Sequence, residues 1–101
     1  MKKRIFRDYQ EKLIHDLQDS NLASAYLNEA LKDEDPRIFL LALKHVLEAQ
    51  GGSFSELAKK TQLNRENLYR MFSKKGNPKL TSLRSVLHVL GCELAIQPYK
   101  R

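Results

Sequence analysis

Residues 54–73 read FSELAKKTQLNRENLYRMFS, and the fold turns on this stretch. Leu57, Ala58, Leu63, Leu68 and Met71 are spaced for two short helices that cross at a tight turn. Ala58 is small where the helices approach most closely, and a larger side chain there would push them apart. The second helix leaves Arg65, Glu66, Asn67, Tyr69 and Arg70 outside its core-facing positions. Arginine makes paired hydrogen bonds to guanine, and asparagine does so to adenine. The spacing is that of a helix-turn-helix, whose second helix enters the major groove of DNA. A plain helical hairpin with a solvated basic face is the competing reading of the segment; separately, Tyr69 is either a base contact or half-buried beside the core.

The surrounding charge favours the first reading. Residues 53–84 carry Lys59, Lys60, Arg65, Arg70, Lys74, Lys75, Lys79 and Arg84 against Glu56 and Glu66. The candidates for base contact are Arg65, Glu66, Asn67, Tyr69 and Arg70, with Glu66 able to orient an arginine. Those for phosphate contact are Ser53, Ser55, Lys59, Lys60, Asn64, Ser73, Lys74, Lys75, Asn77 and Lys79. Basic side chains and the free N–H groups of helix N-termini both favour anions.

Outward from this segment the chain reads as helix almost throughout. Ser53-Phe54-Ser55-Glu56 has the form of a capping box, and Asn64 caps the second short helix. Upstream, Asp35 is an N-cap and Pro36 suits the first helical position. The apolar run from Ile38 to Ala49 that follows is expected at the centre of the core, and Gly51-Gly52 ends it. Tyr9, Leu13, Ile14 and Leu17 predict an earlier helix over residues 8–18. Ser20 or Asn21 caps another that carries Leu22, Ala23, Tyr26, Leu27, Ala30 and Leu31 on one face. Downstream, Lys74-Lys75-Gly76-Asn77-Pro78 is a loop, and a last helix runs from near Leu80 to Gly91. Residues 92–97 alternate, with Cys92, Leu94 and Ile96 on one side, which predicts a short strand. One strand cannot stand alone, so a second copy of the chain is its expected partner, with Leu94 and Ile96 as the dimer candidates.

Composition narrows the function. The chain has 101 residues and a net charge of +6, unevenly distributed. Residues 1–7 carry four basic residues and no acid, residues 8–35 two basic and eight acidic, and residues 36–101 twelve basic and four acidic. An acidic and a basic section suggest two kinds of partner, or simply solvated faces. No apolar run is long enough to cross a membrane, no signal-peptide core follows the basic start, and the lone Cys92 suits a reducing compartment, so a cytoplasmic protein is expected. No catalytic residue, metal ligand or cofactor site is expected. His15, His45 and His88 have no metal-ligand spacing, and Gly51-Gly52 lacks the Lys-Ser/Thr of a phosphate loop.

The stretch TQLNRENLYRMFSKKGNPKLTSLRSVLHVLG is similar to the addiction-module antidote proteins, HigA-related antitoxins with a Cro/cI (XRE-type) helix-turn-helix. The matching elements are residues 63–70, Gly76-Asn77-Pro78, Leu83 and the Leu90-Gly91 ending. Upstream, residues 25–31 and Asp35-Pro36 before the long apolar helix resemble that family's N-terminal section. The likeness covers about residues 9–98. Two residues depart from the pattern. Gln62 stands where a left-handed glycine is usual, at a cost of roughly 1 kcal/mol, and Asn64 stands where serine is more usual.

The resemblance implies an all-α, lambda-repressor-like helix-turn-helix bundle with an N-terminal helical extension and a short C-terminal β-strand. It divides the chain into an acidic helical section (1–35), a DNA-binding domain (36–91) and a strand and tail (92–101). It also implies an antitoxin that binds double-stranded operator DNA of its own operon, as a homodimer, and neutralises a RelE/HigB-like toxin. The acidic section would face that toxin, or else merely cap the core. A stand-alone XRE-type regulator without a toxin is the alternative, and a toxin-binding module that has lost DNA binding is a third.

Overall fold

The computed structural model describes residues 2–99, with side chains from residue 8 onward. Six helices follow one another: α1 (Lys2–Asp16), α2 (Ser20–Leu31), α3 (Pro36–Ala49), α4 (Phe54–Thr61), α5 (Arg65–Met71) and α6 (Leu80–Val89). The fold is all-α. Helices α1 and α2 pack on α3, while α4 packs on α5 and α6.

Local chemistry sets these boundaries. Asp19, rather than Ser20 or Asn21, caps α2: its carboxylate accepts from the N–H groups of Asn21 at 2.7 Å and Leu22 at 3.3 Å. A carboxylate caps as well as a hydroxyl does and adds negative charge where the helix dipole is positive. Asp35 caps α3 through the Arg37 N–H at 2.9 Å, with Pro36 opening the helix. The Arg37 guanidinium also grips Asp35 and holds its carboxyl below the usual range.

Helices α3 and α6 end alike. Gly51 (φ +72°) and Gly91 (φ +82°) take the left-handed conformation. The following N–H then reaches back to Leu47 O at 3.1 Å and to Leu87 O at 2.8 Å, which closes a Schellman motif. Two glutamine amides tie the remaining ends together, Gln18 to Ala49 O at 3.1 Å and Gln50 to Leu90 O at 3.2 Å.

Helix α3 is the core helix, as its sequence predicts, and buries Phe39, Leu40, Ala42, Leu43, Val46, Leu47 and Ala49. Against it lie Leu17, Ala23, Leu27, Leu57, Leu68, Met71, Val86, Leu87 and Leu90. The core is narrower than the apolar stripes suggest. Tyr9, Ile14, Leu22, Leu31, Ile38 and Leu41 all remain exposed. One neighbouring helix covers only part of a wide stripe, and α2 buries just Ala23 and Leu27.

The expected C-terminal strand does not form. Among the described residues there is no strand, and residues 92–99 run as irregular chain after α6. A ladder needs a second extended segment to supply its hydrogen bonds, and the rest of the described chain is helix and turn. Leu94 is exposed and Ile96 is fully so, at 102 %. Only Cys92 of the alternating set touches the core edge, where burial pushes its thiol pKa up. Lys100 and Arg101 of the expected tail lie outside the described residues.

Candidate nucleic-acid interface

The turn between α4 and α5 is held by two side chains. Thr61 Oγ1 donates to Leu57 O at 2.6 Å and accepts from the Leu63 N–H at 3.3 Å. Asn64 Oδ1 accepts from the Asn67 N–H at 2.7 Å and so caps α5. Between them Gln62 sits at φ 62°, ψ 16°, among the described residues the only non-glycine with positive φ. The sequence departure at this position is therefore a real strain, since a side chain crowds the following carbonyl in this conformation. At the other end of α4, Ser53 accepts from the Glu56 N–H at 3.2 Å. The reciprocal bond of a capping box, from the Ser53 N–H to the Glu56 carboxylate, is absent.

Leu57 on α4 and Leu68 and Met71 on α5 are buried, with Ala58 and Leu63 partly buried beside them. This anchoring turns the rest of α5 outward. Arg65, Glu66, Asn67 and Arg70 are exposed. Tyr69 is 52 % exposed, and its ring meets Phe54 edge-on with centroids 4.6 Å apart. Phe54 in turn stacks on Phe72 at 5.4 Å. Sequence reasoning missed Phe54 as the support of Tyr69. The signal was an aromatic residue opening α4, read only as part of a cap.

An open concavity of about 470 Å³ lies between α5, the following loop and the start of α6. Its lining brings two base-contact candidates, Asn67 and Arg70, together with three phosphate-contact candidates, Lys75, Asn77 and Lys79. Thr81 and Ser82 also line it and were not among the sequence candidates. Their signal was hydroxyl residues in the first turn of a helix whose N-cap, Lys79, makes no side-chain capping bond. Gly76 shapes the loop: a Cβ there would collide with the Met71 carbonyl, so the chain passes only as glycine.

The other candidates lie apart from the concavity. Ser53 and Ser55 are exposed at the start of α4, Lys59 and Lys60 at its end, and Ser73 and Lys74 just after α5. Ser73 Oγ is occupied by Arg70 O at 2.7 Å. The described ion pairs, Lys32–Glu29 and Arg37–Asp35, both lie in the first half of the chain. The described basic side chains of residues 59–84 thus carry no carboxylate partner. Leu94 lines a different groove, beside α2, and Ile96 faces solvent. Among the described residues, no three His, Cys, Asp or Glu side chains gather as a metal ion needs, and no helix is long and apolar enough to cross a membrane.

The concave, unpaired basic surface can hold a polyanion, and α5 presents donors at its rim. Residues 9–98 match a family model described as a probable addiction module antidote protein. A Haemophilus influenzae protein described as uncharacterized is 31% identical over 72 residues, which span 71% of this chain and 72% of that relative. No solved structure matches.

Proposed function

The chain belongs to the probable addiction module antidote protein family, and from that premise we propose that it is a sequence-specific DNA-binding antitoxin. It represses its own toxin–antitoxin operon and neutralises a RelE/HigB-like toxin by direct binding. The observation that carries the antitoxin half is the family match over residues 9–98. Supporting the DNA half are the left-handed turn at Gln62, the buried anchors Leu68 and Met71, and the exposed Arg65, Asn67 and Arg70.

In this reading α4 and α5 form the helix-turn-helix of a lambda-repressor-like, XRE-type bundle, and α5 enters the major groove. Arg65, Asn67 and Arg70 meet base edges, Tyr69 reaches the groove wall from its seat on Phe54, and Glu66 orients an arginine. Lys59, Lys60, Lys74, Lys75 and Lys79 neutralise phosphates on either side, and Asn77 donates a hydrogen bond to one. A seven-residue helix reads few base pairs. Two copies on half-sites one DNA turn apart multiply the specificity, so the operator complex is a homodimer. Exposed Leu94 and Ile96 are its candidate contacts. Residues 36–91 hold the DNA-binding domain, and the acidic residues 8–35 favour a basic toxin, whose approach complementary charge steers.

Co-expression tests the antitoxin half. Where a small reading frame adjoins this gene, inducing it is expected to arrest growth, and inducing this chain with it is expected to restore growth. Arrest that persists despite ample soluble antitoxin would contradict the proposal.

A further inference from the structure

Ile38, Leu41, Ala42 and His45 lie at i, i+3, i+4 and i+7 on α3 and form one stripe along that helix. Facing them across an open groove of about 500 Å³ are Tyr26 and Ala30 of α2. Ile38 is 40 % exposed and Leu41 50 %, although both belong to the most apolar helix of the chain. Tyr26 Oη and His45 Nδ1 lie 2.9 Å apart, a hydrogen bond that joins α2 to α3 and holds the groove open in a defined shape. On the α2 side the rim carries Glu29 and Asp33. Lys32, the cation lining the groove, is already paired with Glu29 at 3.1 Å.

We propose that this groove is the toxin-docking site, and that it accepts an amphipathic helix of the toxin with apolar residues at i, i+3 or i+4 and i+7 flanked by Lys or Arg. The inference rests on the antitoxin reading and deepens it by naming the surface. Charge complementarity selects the occupant. The groove's own lining carries Glu29 and Asp33 against Lys32, within a segment (8–35) of eight acids and two basic residues, so its rim is acidic and favours a basic occupant. The exposed apolar side chains, Ile38 and Leu41, stand one helical turn apart above buried Ala42, and so offer an apolar seat for one face of a docked helix. The lining runs from Ile38 to His45 on α3, about 10 Å, which seats an occupant helix of about two turns. A second copy of this chain is a poorer fit. Its described basic surface, residues 59–84, exposes only Tyr69 and Leu80 as large apolar groups, on different helices.

The test uses the full-length chain and the purified product of the adjacent reading frame. Leu41→Glu is expected to weaken that complex by about 100-fold or more, because it buries an unpaired charge at the centre of the contact. The exposed-rim variant Glu29→Lys/Asp33→Lys is expected to slow association by about 10-fold and to flatten its salt dependence. Both variants should melt like the parent, since the altered positions are exposed, and Leu41→Glu should keep its affinity for upstream DNA. Wild-type affinity for the toxin in both variants would overturn the groove assignment and leave the antitoxin reading standing. Conversion of a dimer to a monomer by Leu41→Glu, with toxin binding unchanged, would overturn it in favour of a second copy. Failure of the parent chain to bind the toxin at all would overturn the antitoxin reading and the groove with it.

Discussion

Leu68→Ala is expected to destabilise the fold by about 2–5 kcal/mol, the cost of emptying a fully buried leucine site. Leu68 is 0 % exposed, and it shares with Met71 the task of fastening α5 to the core. A seven-residue helix has too few turns to persist unsupported in water, so beyond its Asn64 cap and the seat of Tyr69 on Phe54 its order depends on these two buried anchors. The loss should appear as a lower urea midpoint with the slope retained. Leu80→Ala, on the exposed face of α6, is the control and should stay within about 0.5 kcal/mol of the parent. A cost below about 1 kcal/mol at Leu68 would mean that α5 is held by something other than its buried face.

Arg65→Ala is expected to weaken binding to the proposed operator by about 1–3 kcal/mol, which is roughly 5- to 150-fold. Arg65 is the first residue of α5 and is exposed, and a cation there opposes the helix dipole. Helix stability therefore does not account for an arginine at this position, which is the one proposed to meet a base edge. The loss should fall on the true site, with discrimination relaxed at one base pair. Lys60→Ala should instead weaken binding to every sequence evenly and lower the salt slope by about 1. An even loss on all duplexes for Arg65→Ala would make it a phosphate contact.

Much of this architecture is legible from residues alone, because the deciding signals are local. Asp35-Pro36 and Gly51-Gly52 bracket α3 by capping chemistry that depends on no distant neighbour. A tight turn follows from the spacing of Leu57, Ala58, Leu63 and Leu68, whereas the left-handed conformation at Gln62 is what the helix-turn-helix resemblance implies, although glutamine argues against it. What periodicity does not report is how much of an apolar stripe finds a partner. Leu22, Leu31, Ile38 and Leu41 have core periodicity and yet stay exposed, because α2 and α3 each meet one another over a limited arc. The alternation at residues 92–97 fails for a related reason: a strand is defined by its neighbour, and the described chain offers none. At the candidate interface, sequence spacing finds Asn67, Arg70, Lys75, Asn77 and Lys79, which the fold gathers around one concavity. It does not find Phe54 under Tyr69, or Thr81 and Ser82 across the loop, since those meetings depend on how α4 and α6 are set against α5.

The most direct test of DNA recognition is fluorescence anisotropy of the purified chain on DNA from its own upstream region, against a scrambled duplex, at several salt concentrations. Tight binding to the upstream duplex is predicted, with affinity falling steeply as salt rises because phosphate contacts release counterions. Binding that is equally weak and equally salt-sensitive on both duplexes, with and without the adjacent gene's product, would contradict sequence-specific recognition by α5.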